Sequence, residues 1–289
     1  MIAGGYDTSY NNIDTSYILE VFFNENIINK VGYKILPNVP HSFYYATFGN
    51  YKGRSVIISG ANSNGQCLEF DQDEYQVIPS LNVKRSSAAS TFIQNKVVVA
   101  GGYDGINVLD TIEILDWDES NHGSQWNISS SKMPIKVCGH TLVTLNNKLF
   151  MIGGEDDSDN DLDTIWEGSL DKVSNDITWV NMGLRLQKKR SWHFSFVISN
   201  QIITFGGSNE DDDFVEIIKN LKLMQGPKVP FKLSTDDDQV VLDRKNRIII
   251  TSKDHGLIVY DHQAKTFTNY DNFKLREERT DYAAILCSQ

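Results

Sequence analysis

The chain has 289 residues and a formal net charge of -11 at pH 7. This acidic balance argues against wrapping nucleic acid, because such binding needs cationic patches that neutralise phosphates. No apolar run approaches the roughly 20 residues that span a membrane, and the N-terminus lacks the basic flank and apolar core of a signal peptide. The sequence therefore predicts a cytoplasmic protein that binds neither nucleic acid nor a membrane.

A Gly-Gly doublet closes a short apolar run at several places along the chain. The doublets are Gly4-Gly5, Gly101-Gly102, Gly153-Gly154 and Gly206-Gly207, with eroded versions at Ser59-Gly60 and Thr251-Ser252. Measured between the first residues of successive doublets, the steps are 55, 42, 52, 53 and 45 residues. A recurring spacing of this size indicates a repeat array, and six units are visible.

Each unit contains several short runs of the kind that form strands. The run before a doublet is apolar and rich in β-branched residues, as in Lys96-Val-Val-Val-Ala100, which is typical of a buried strand. Another run lies just before it, and the two are separated by a pair such as Asn146-Asn147. Asparagine tolerates the positive φ of a hairpin turn. Two more follow the doublet, the first exemplified by Thr111-Ile-Glu-Ile-Leu115. Each unit is therefore predicted to be a four-stranded antiparallel sheet.

An aromatic residue opens the fourth segment of most units. These aromatics are Tyr33, Tyr75, Trp126, Trp179 and Phe267. We expect each to pack as a wedge between neighbouring sheets, because one sheet cannot bury both faces alone whereas a ring of sheets can.

Three further features accompany the doublets. Tyr-Asp follows Gly4-Gly5 and Gly101-Gly102, an aromatic lies downstream, and an Arg-x-x-(Ala/His) pattern precedes the inner strand at Arg85 and Arg190. Together they resemble the kelch repeat, over the whole chain. The resemblance implies a β-propeller, and kelch domains include protein-binding modules, carbohydrate-active enzymes and copper oxidases.

The two ends of the chain complete one unit. Met1-Ile2-Ala3 runs straight into the first doublet without a preceding strand, and residues 279–287 read as a first strand with nothing after it. We expect one domain over residues 1–289, an all-β, six-bladed kelch-type propeller of four-stranded antiparallel blades. The C-terminal strand would close the ring by completing the N-terminal blade.

Loops that leave the doublet strand and loops that lead into the inner strand lie on one face of such a disc, and that face is the candidate binding surface. Sixteen residues before the doublets, the repeat places Arg85, Val137 and Arg190. The equivalent position is Arg279 in the closing unit, and His41 in the second unit if the Gly49–Gly53 turn is longer than the others. The arginines and His41 predict a cationic ring that grips acidic peptides, as the resemblance to kelch substrate receptors implies. The alternative is that each arginine ties one blade to its neighbour.

A second ring lies thirteen residues before the doublets. It contains His140 and His193, with Tyr44, Ala88 and Tyr282 at the matching positions. Two His and two Tyr resemble the ligands of kelch-type copper oxidases, and imidazole with phenolate suits Cu(II). The competing interpretation is that the histidines pack against the doublets.

Other motifs indicate no metal or cofactor. Asp157-x-Asp159-x-Asp161 alternates carboxylates like a calcium loop, but it lacks the turn glycine and the distal Glu, which favours a solvated acidic loop. Cys67, Cys138 and Cys287 lie far apart, as expected of reduced thiols rather than of a zinc site or a disulfide.

These patterns predict a non-catalytic protein-interaction module without a cofactor. It would bind an acidic or polar segment of a protein partner at the channel mouth. The predicted contact residues are His41, Tyr44, Arg85, His140, Arg190, Arg279 and Tyr282. The alternative is a carbohydrate-active enzyme or copper oxidase that uses the same mouth.

Overall fold

The structure is a computed structural model. It describes residues 2–3, 14–24, 27–40, 43–51, 54–61, 63–71, 73–117, 125–208, 213–233, 238–243, 245–252, 255–270, 273 and 283–284. These residues form an all-β protein whose four-stranded antiparallel sheets are the blades of a β-propeller. No helix among them is long and apolar enough to cross a membrane.

Five sheets have four strands of at least five residues each. Sheet 2 contains β4 (Thr47–Tyr51), β5 (Arg54–Ile58), β6 (Cys67–Asp71) and β7 (Glu74–Ile78). Sheet 3 contains β8 (Ala89–Ile93), β9 (Lys96–Ala100), β10 (Thr111–Asp116) and β11 (Asn127–Lys132). Sheet 4 contains β12 (Thr141–Leu145), β13 (Lys148–Ile152), β14 (Thr164–Leu170) and β15 (Ile177–Arg185).

Sheets 5 and 6 repeat this order. Sheet 5 contains β16 (Phe194–Ile198), β17 (Gln201–Phe205), β18 (Phe214–Lys219) and β19 (Lys222–Lys228). Sheet 6 contains β20 (Asp238–Leu242), β21 (Arg247–Ser252), β22 (Gly256–Asp261) and β23 (Thr266–Tyr270).

Sheet 1 joins the two ends of the chain and differs from the others in its strand lengths. It contains β24 (Ala283–Ala284), β1 (Ile2–Ala3), β2 (Ser16–Asn24) and β3 (Ile27–Leu36). β1 pairs antiparallel with both β2 and β24, and the second pairing joins Ile2 to Ala284 and Ala3 to Ala283. β24 also contacts β4 and β20.

The first strand of each complete sheet lies at the centre of the propeller. β8 contacts β4 on one side and β12 on the other, and β12 also contacts β16. β8 and β12 end in the predicted hairpin turns, in which Gln94, Asn95, Asn146 and Asn147 have positive φ. The strand assignments made from the apolar runs are therefore confirmed for sheets 2 to 5.

The core lies between sheets rather than within one sheet. Trp126 is 3% exposed and packs with Tyr51 and Ile78 of sheet 2 and with Val97 of its own sheet. Phe267 packs in the same way against Phe205 of sheet 5. The predicted aromatic wedge is confirmed at these positions, whereas Tyr33 is 40% exposed and contacts Tyr17 of its own sheet.

The doublets need glycine because backbones meet there. Gly153 has φ +57°, and a Cβ at that position would lie 2.6 Å from the carbonyl oxygen of Arg190 and 2.8 Å from the ring of His193. The next residue, Gly154, donates its N–H to the same carbonyl at 2.9 Å. The doublet is thus the point at which one blade bonds to the segment that leads into the next.

We expect Gly153→Ala to destabilise the protein much more than Gly183→Ala. Both glycines have positive φ, but a Cβ at Gly183 would meet nothing within 4 Å. Gly183→Ala therefore carries only the left-handed strain of about 1–2 kcal/mol, and Gly153→Ala adds overlap worth about 1–3 kcal/mol more. Urea unfolding of both variants measures the difference, and equal costs would contradict the close approach at the doublet.

Candidate functional site

A cavity of about 230 Å³ lies at the mouth of the central channel. Its walls come from the starts of five first strands and from the residues just before them, in the ranges 45–48, 87–90, 139–142, 192–196 and 239–240. The described wall residues are aromatic, aliphatic, hydroxyl-bearing, amide or histidine, with no Asp, Glu, Lys or Arg. The described part of the mouth is therefore uncharged.

One position of the repeat shapes the rim of this cavity. Tyr45, Ser87, Gly139 and Trp192 each lie two residues before a first strand, and their φ values are 52°, 55°, 57° and 54°. Successive members are joined through the backbone: Ser87 donates to Tyr45 at 2.8 Å, Gly139 to Ser87 at 3.0 Å and Trp192 to Gly139 at 2.8 Å. We call these four residues the rim belt. It holds sheets 2 to 5 together with main-chain atoms and leaves the side chains available.

Two side chains of the rim belt contact each other. The rings of Tyr45 and Trp192 lie 5.7 Å apart between centroids, although they belong to sheets separated by two others. Gly139 makes room for this contact, since a Cβ there would lie 3.0 Å from the Trp192 ring. Tyr45 is 37% exposed. The mouth thus carries an aromatic pair that solvent reaches.

Hydroxyl groups on the first strands bond to one another across sheet boundaries. Thr47 pairs with Ser90 at 2.8 Å, and Thr141 pairs with Ser195 at 2.7 Å. Thr141 also lies 3.0 Å from Nε2 of His193. These contacts satisfy polar groups of the wall within the protein itself.

The two histidines pack against the doublets, as the competing interpretation had it. An ideal Cβ at Gly101 would lie 2.8 Å from His140 Cε1, and one at Gly153 would lie 2.8 Å from His193 Cε1. Burial lowers the pKa of His140 to about 3, and burial followed by the charge of Arg190 lowers the pKa of His193 well below its ordinary value. Both imidazoles are neutral at pH 7, and both ring nitrogens of His140 lack a hydrogen-bond partner among the described residues.

Arg85 does not face the mouth. Its side chain is fully buried, where it donates to Glu113 at 2.9 Å and to the carbonyl oxygens of Gly101 and Thr111 at 2.8 and 3.0 Å. Glu113 in turn accepts from the backbone N–H groups of Asn82 and Val83. The arginine therefore fixes the segment that leads into sheet 3.

Arg190 has the same role in sheet 5. It donates to Glu216 at 2.9 Å, to Asp213 at 3.2 Å and to the carbonyl oxygen of Gly206 at 2.6 Å, again without exposure. The expectation that Arg85 and Arg190 grip a partner is corrected, because both guanidinium groups pair with buried carboxylates inside the blades and do not reach solvent.

The second unit also needs a correction. The hairpin between β4 and β5 pairs Tyr51 with Arg54, so its turn is no longer than that of sheet 3, where Ile93 pairs with Lys96. Without the assumed extra residues, Phe43 takes the arginine position and Ala46 takes the histidine position. Tyr44 instead corresponds to Ser86, since both form a bridge to the residue after the doublet.

The remaining predicted contact residues, His41, Arg279 and Tyr282, lie outside the described residues. The described part of the second ring supplies two imidazoles, with alanine at positions 46 and 88. It offers no phenol beside them, so this part of the ring does not fit the copper ligand set.

Two of the three alternating carboxylates, Asp157 and Asp161, have structural partners. Asp161 accepts from Ser191 and Ser208 of the next sheet, and Asp157 lies 3.6 Å from Lys136. Among the described residues, no group of three or more His, Cys, Asp or Glu side chains is placed to hold a metal ion. The acidic loop therefore helps to join sheets 4 and 5.

Sequence reasoning missed the rim belt and the buried glutamates. Tyr45 and Trp192 share a repeat position with Ser87 and Gly139, and four such different residue types give no pattern. The glutamates did carry a signal, because Glu69, Glu113 and Glu216 each stand third in a strand with apolar residues on both sides. A buried carboxylate of this kind needs a cation close by.

We expect Arg85→Met to destabilise the protein by about 3–5 kcal/mol, because Glu113 would remain buried without its cation. Lys132→Met is the matched control, since it breaks a pair with Asp110 in which the lysine is 62% exposed, and should cost less than about 1 kcal/mol. The double variant Arg85→Met/Glu113→Leu should recover part of the loss. Chemical unfolding checks all three, and a cost for Arg85→Met as small as the control's would contradict the structural role.

Stability should fall in acid because His140 resists protonation in the folded state. Burial lowers the pKa of His140 to about 3, whereas the unfolded chain takes up this proton near a pKa of about 6.5. Between these values the unfolded state binds more protons, so the free energy of unfolding decreases as pH falls, by up to about 1.4 kcal/mol per pH unit. Urea unfolding from pH 7 to 4 should show a shallower decrease for His140→Leu, and parallel curves would disprove this assignment.

Comparison with known proteins agrees with this fold. A family model described as "Kelch motif" matches residues 84–119, which cover the segment from Lys84 into the loop after β10. A solved structure titled "Structure of YjhT" superimposes with a TM-score of 0.61 at 14% identity, over 75% of this chain and 74% of the other. At that identity the likeness concerns the fold alone.

Curated relatives match part of this chain. Spermatocyte protein spe-26 of Caenorhabditis elegans is 25% identical over 41% of this chain and 20% of its own length. Kelch repeat-containing protein kel-10 of the same organism is 28% identical over 37% of this chain and 19% of its own. The matched region thus spans about a fifth of these relatives. With the repeat described above, these matches show that residues 84–119 are similar to the kelch motif and that the chain is similar to kelch-named relatives over part of its length.

Proposed function

We propose that this chain is a protein-interaction module that binds a segment of a partner protein over the mouth of the central channel. The observation that carries the proposal is the uncharged cavity bordered by Tyr45 and Trp192. Trp and Tyr side chains are enriched among the few residues that carry most of the binding energy in protein interfaces, and these residues cluster at well-packed pockets. The rim belt holds this pocket in place without using the side chains.

The described part of the mouth does not favour an acidic segment at its centre. Arg85 and Arg190 are committed to buried carboxylates, and acidic residues such as Asp104 and Glu155 lie on the loops after the doublets. Crowding by Asp161, Asp159 and Asp156 adds to burial in raising the pKa of Glu155. An acidic partner would meet this repulsion, so the segment that reaches the centre is better matched if it is polar or apolar and uncharged.

Peptides selected from a random library on the purified chain should bind at the mouth. We expect Ser87→Arg to weaken them by tenfold or more, because the new side chain would fill the mouth with bulk and charge. The positive φ at Ser87 does not prevent the substitution, because Trp192 has a large side chain and positive φ at the equivalent position of sheet 5. Val180→Arg is the control, since Val180 is 57% exposed on the outermost strand of sheet 4. Equal binding by both variants would contradict the site.

A carbohydrate-active enzyme is the second candidate, because His140 and His193 are among the wall residues of the cavity and histidine is the side chain that most often acts as a general acid or base. A turnover screen with simple sugars tests it directly. Turnover that is lost in both His140→Leu and His193→Leu would replace the interaction module by an enzyme.

We also propose that sheets 1 to 6 form one closed domain over residues 1–289. The pairing of Ile2–Ala3 with Ala283–Ala284 supports this closure, as do the contacts of β24 with β4 and β20. Removing residues 279–289 would leave an open sheet edge on β1 and take away one inner strand. We expect the truncated chain to melt several degrees lower; a melting temperature within a degree or two of the intact chain would rule out this closure.

A further inference from the structure

The size and charge of the mouth cavity restrict what a partner can place in it. Building on the proposed function, we infer that the cavity receives one uncharged aromatic side chain of the partner segment, of the tyrosine type. This side chain would lie against Tyr45 and Trp192.

The size of the cavity fits a single group. Its volume of about 230 Å³ is below the roughly 300–1,000 Å³ of typical small-molecule sites. A side chain that enters from a segment lying on the rim needs no more space than this. The rest of the segment would stay outside, on the face formed by the loops.

The chemistry of the walls excludes charge. No Asp, Glu, Lys or Arg is among the described wall residues, and burial keeps the pKa of His140 and His193 below the ordinary range, so both are neutral. A charged side chain would lose its hydration without gaining a counter-ion, which is strongly unfavourable. Arg85 cannot compensate an incoming carboxylate because Glu113 already holds it.

The aromatic pair favours an aromatic side chain over other uncharged groups. Tyr45 is 37% exposed, and its contact with Trp192 at 5.7 Å leaves ring surface toward the mouth. A third ring can join such a pair edge-to-face or offset. Phe194 and Phe196 add further aromatic surface to the wall.

The polar groups of the wall favour a side chain with a single hydroxyl over a sugar. Thr47 and Ser90 bond to each other, as do Thr141 and Ser195, so fewer of their positions remain for a polyol. A phenol brings a single hydroxyl, and beside Tyr45, which is 37% exposed, that hydroxyl can stay in contact with water. A sugar would bury several hydroxyls without partners, which is unfavourable.

Ligand-observed NMR on the purified chain tests the inference with p-cresol, the side chain of tyrosine. We expect saturable binding of p-cresol and none at the same concentrations for p-toluate, 4-methylbenzylamine or methyl galactoside. Binding of any of these three as tight as that of p-cresol would overturn the inference, and so would the absence of saturable p-cresol binding.

Variants locate the bound p-cresol. Trp192→Ala should weaken it by tenfold or more, whereas Tyr103→Ala should leave it unchanged, because Tyr103 is 40% exposed on the same face but does not line the cavity. Tyr45→Ala, at an exposed position, should also weaken binding and serves if Trp192→Ala does not fold. Undiminished binding in the folded rim variants would place the probe elsewhere and refute the proposal.

The two proposals fail in different experiments. p-Cresol binding is measured without a partner protein. If p-cresol does not bind, a partner segment can still bind across the face formed by the loops. If p-cresol binds at the rim while the selected peptides ignore Ser87→Arg, the proposed function is wrong and the cavity chemistry stands.

Discussion

The fold depends on a hydrogen bond that each of sheets 2 to 5 makes to the segment leading into the next sheet. The second residue of the doublet donates it: Gly102 to Val137 at 2.8 Å, Gly154 to Arg190 at 2.9 Å and Gly207 to Leu233 at 2.8 Å. Gly60 makes the same bond to Arg85 at 3.1 Å, in a unit where the first glycine is replaced by Ser59 with φ 51°. The Ser59 hydroxyl also donates to the Arg85 carbonyl, at 2.7 Å. The serine side chain therefore uses the close approach for a hydrogen bond, and the eroded doublet keeps its link to the next sheet.

This bond also explains the buried arginines. The carbonyl of Arg190 accepts from sheet 4, while its side chain reaches the glutamate of sheet 5. One residue thus bonds to two neighbouring blades through different atoms. In sheet 4, Val137 keeps the carbonyl contact and gives up the side-chain contact, and Trp166 stands where sheets 2, 3 and 5 have glutamate. In sheet 2, where Phe43 takes the arginine position, Glu69 pairs with Arg54 at 2.7 Å instead. Each of the three buried glutamates therefore has a cation close by, as expected when a charge alone would be buried without compensation.

The blades and their core could be predicted from the sequence because their signals are local. Apolar runs, Asn-rich turns and glycine doublets all act over a few residues, and the structure has them where they were expected in sheets 2 to 5. The site could not be predicted in the same way. Position relative to the doublet located Arg85 and Arg190, but only the neighbouring Glu113 and Glu216 decide that their side chains turn inward. In sheet 2, the sequence prediction assumed a hairpin turn that was two residues too long. This error placed His41 instead of Phe43 at the arginine position.

The rim belt connects the blades through main-chain atoms and leaves its side chains for contact with a partner. Its bonds use main-chain atoms only, and the same left-handed backbone carries tyrosine, serine, glycine and tryptophan at successive blades. A change of side chain at Ser87 therefore leaves the bonds between the blades intact, and the surface presented to a partner can vary while the scaffold stays the same. Gly139 is the exception, because the Trp192 ring occupies the space a side chain would need. Substitutions at these two positions of the mouth therefore depend on each other: a larger residue at 139 requires a smaller one at 192.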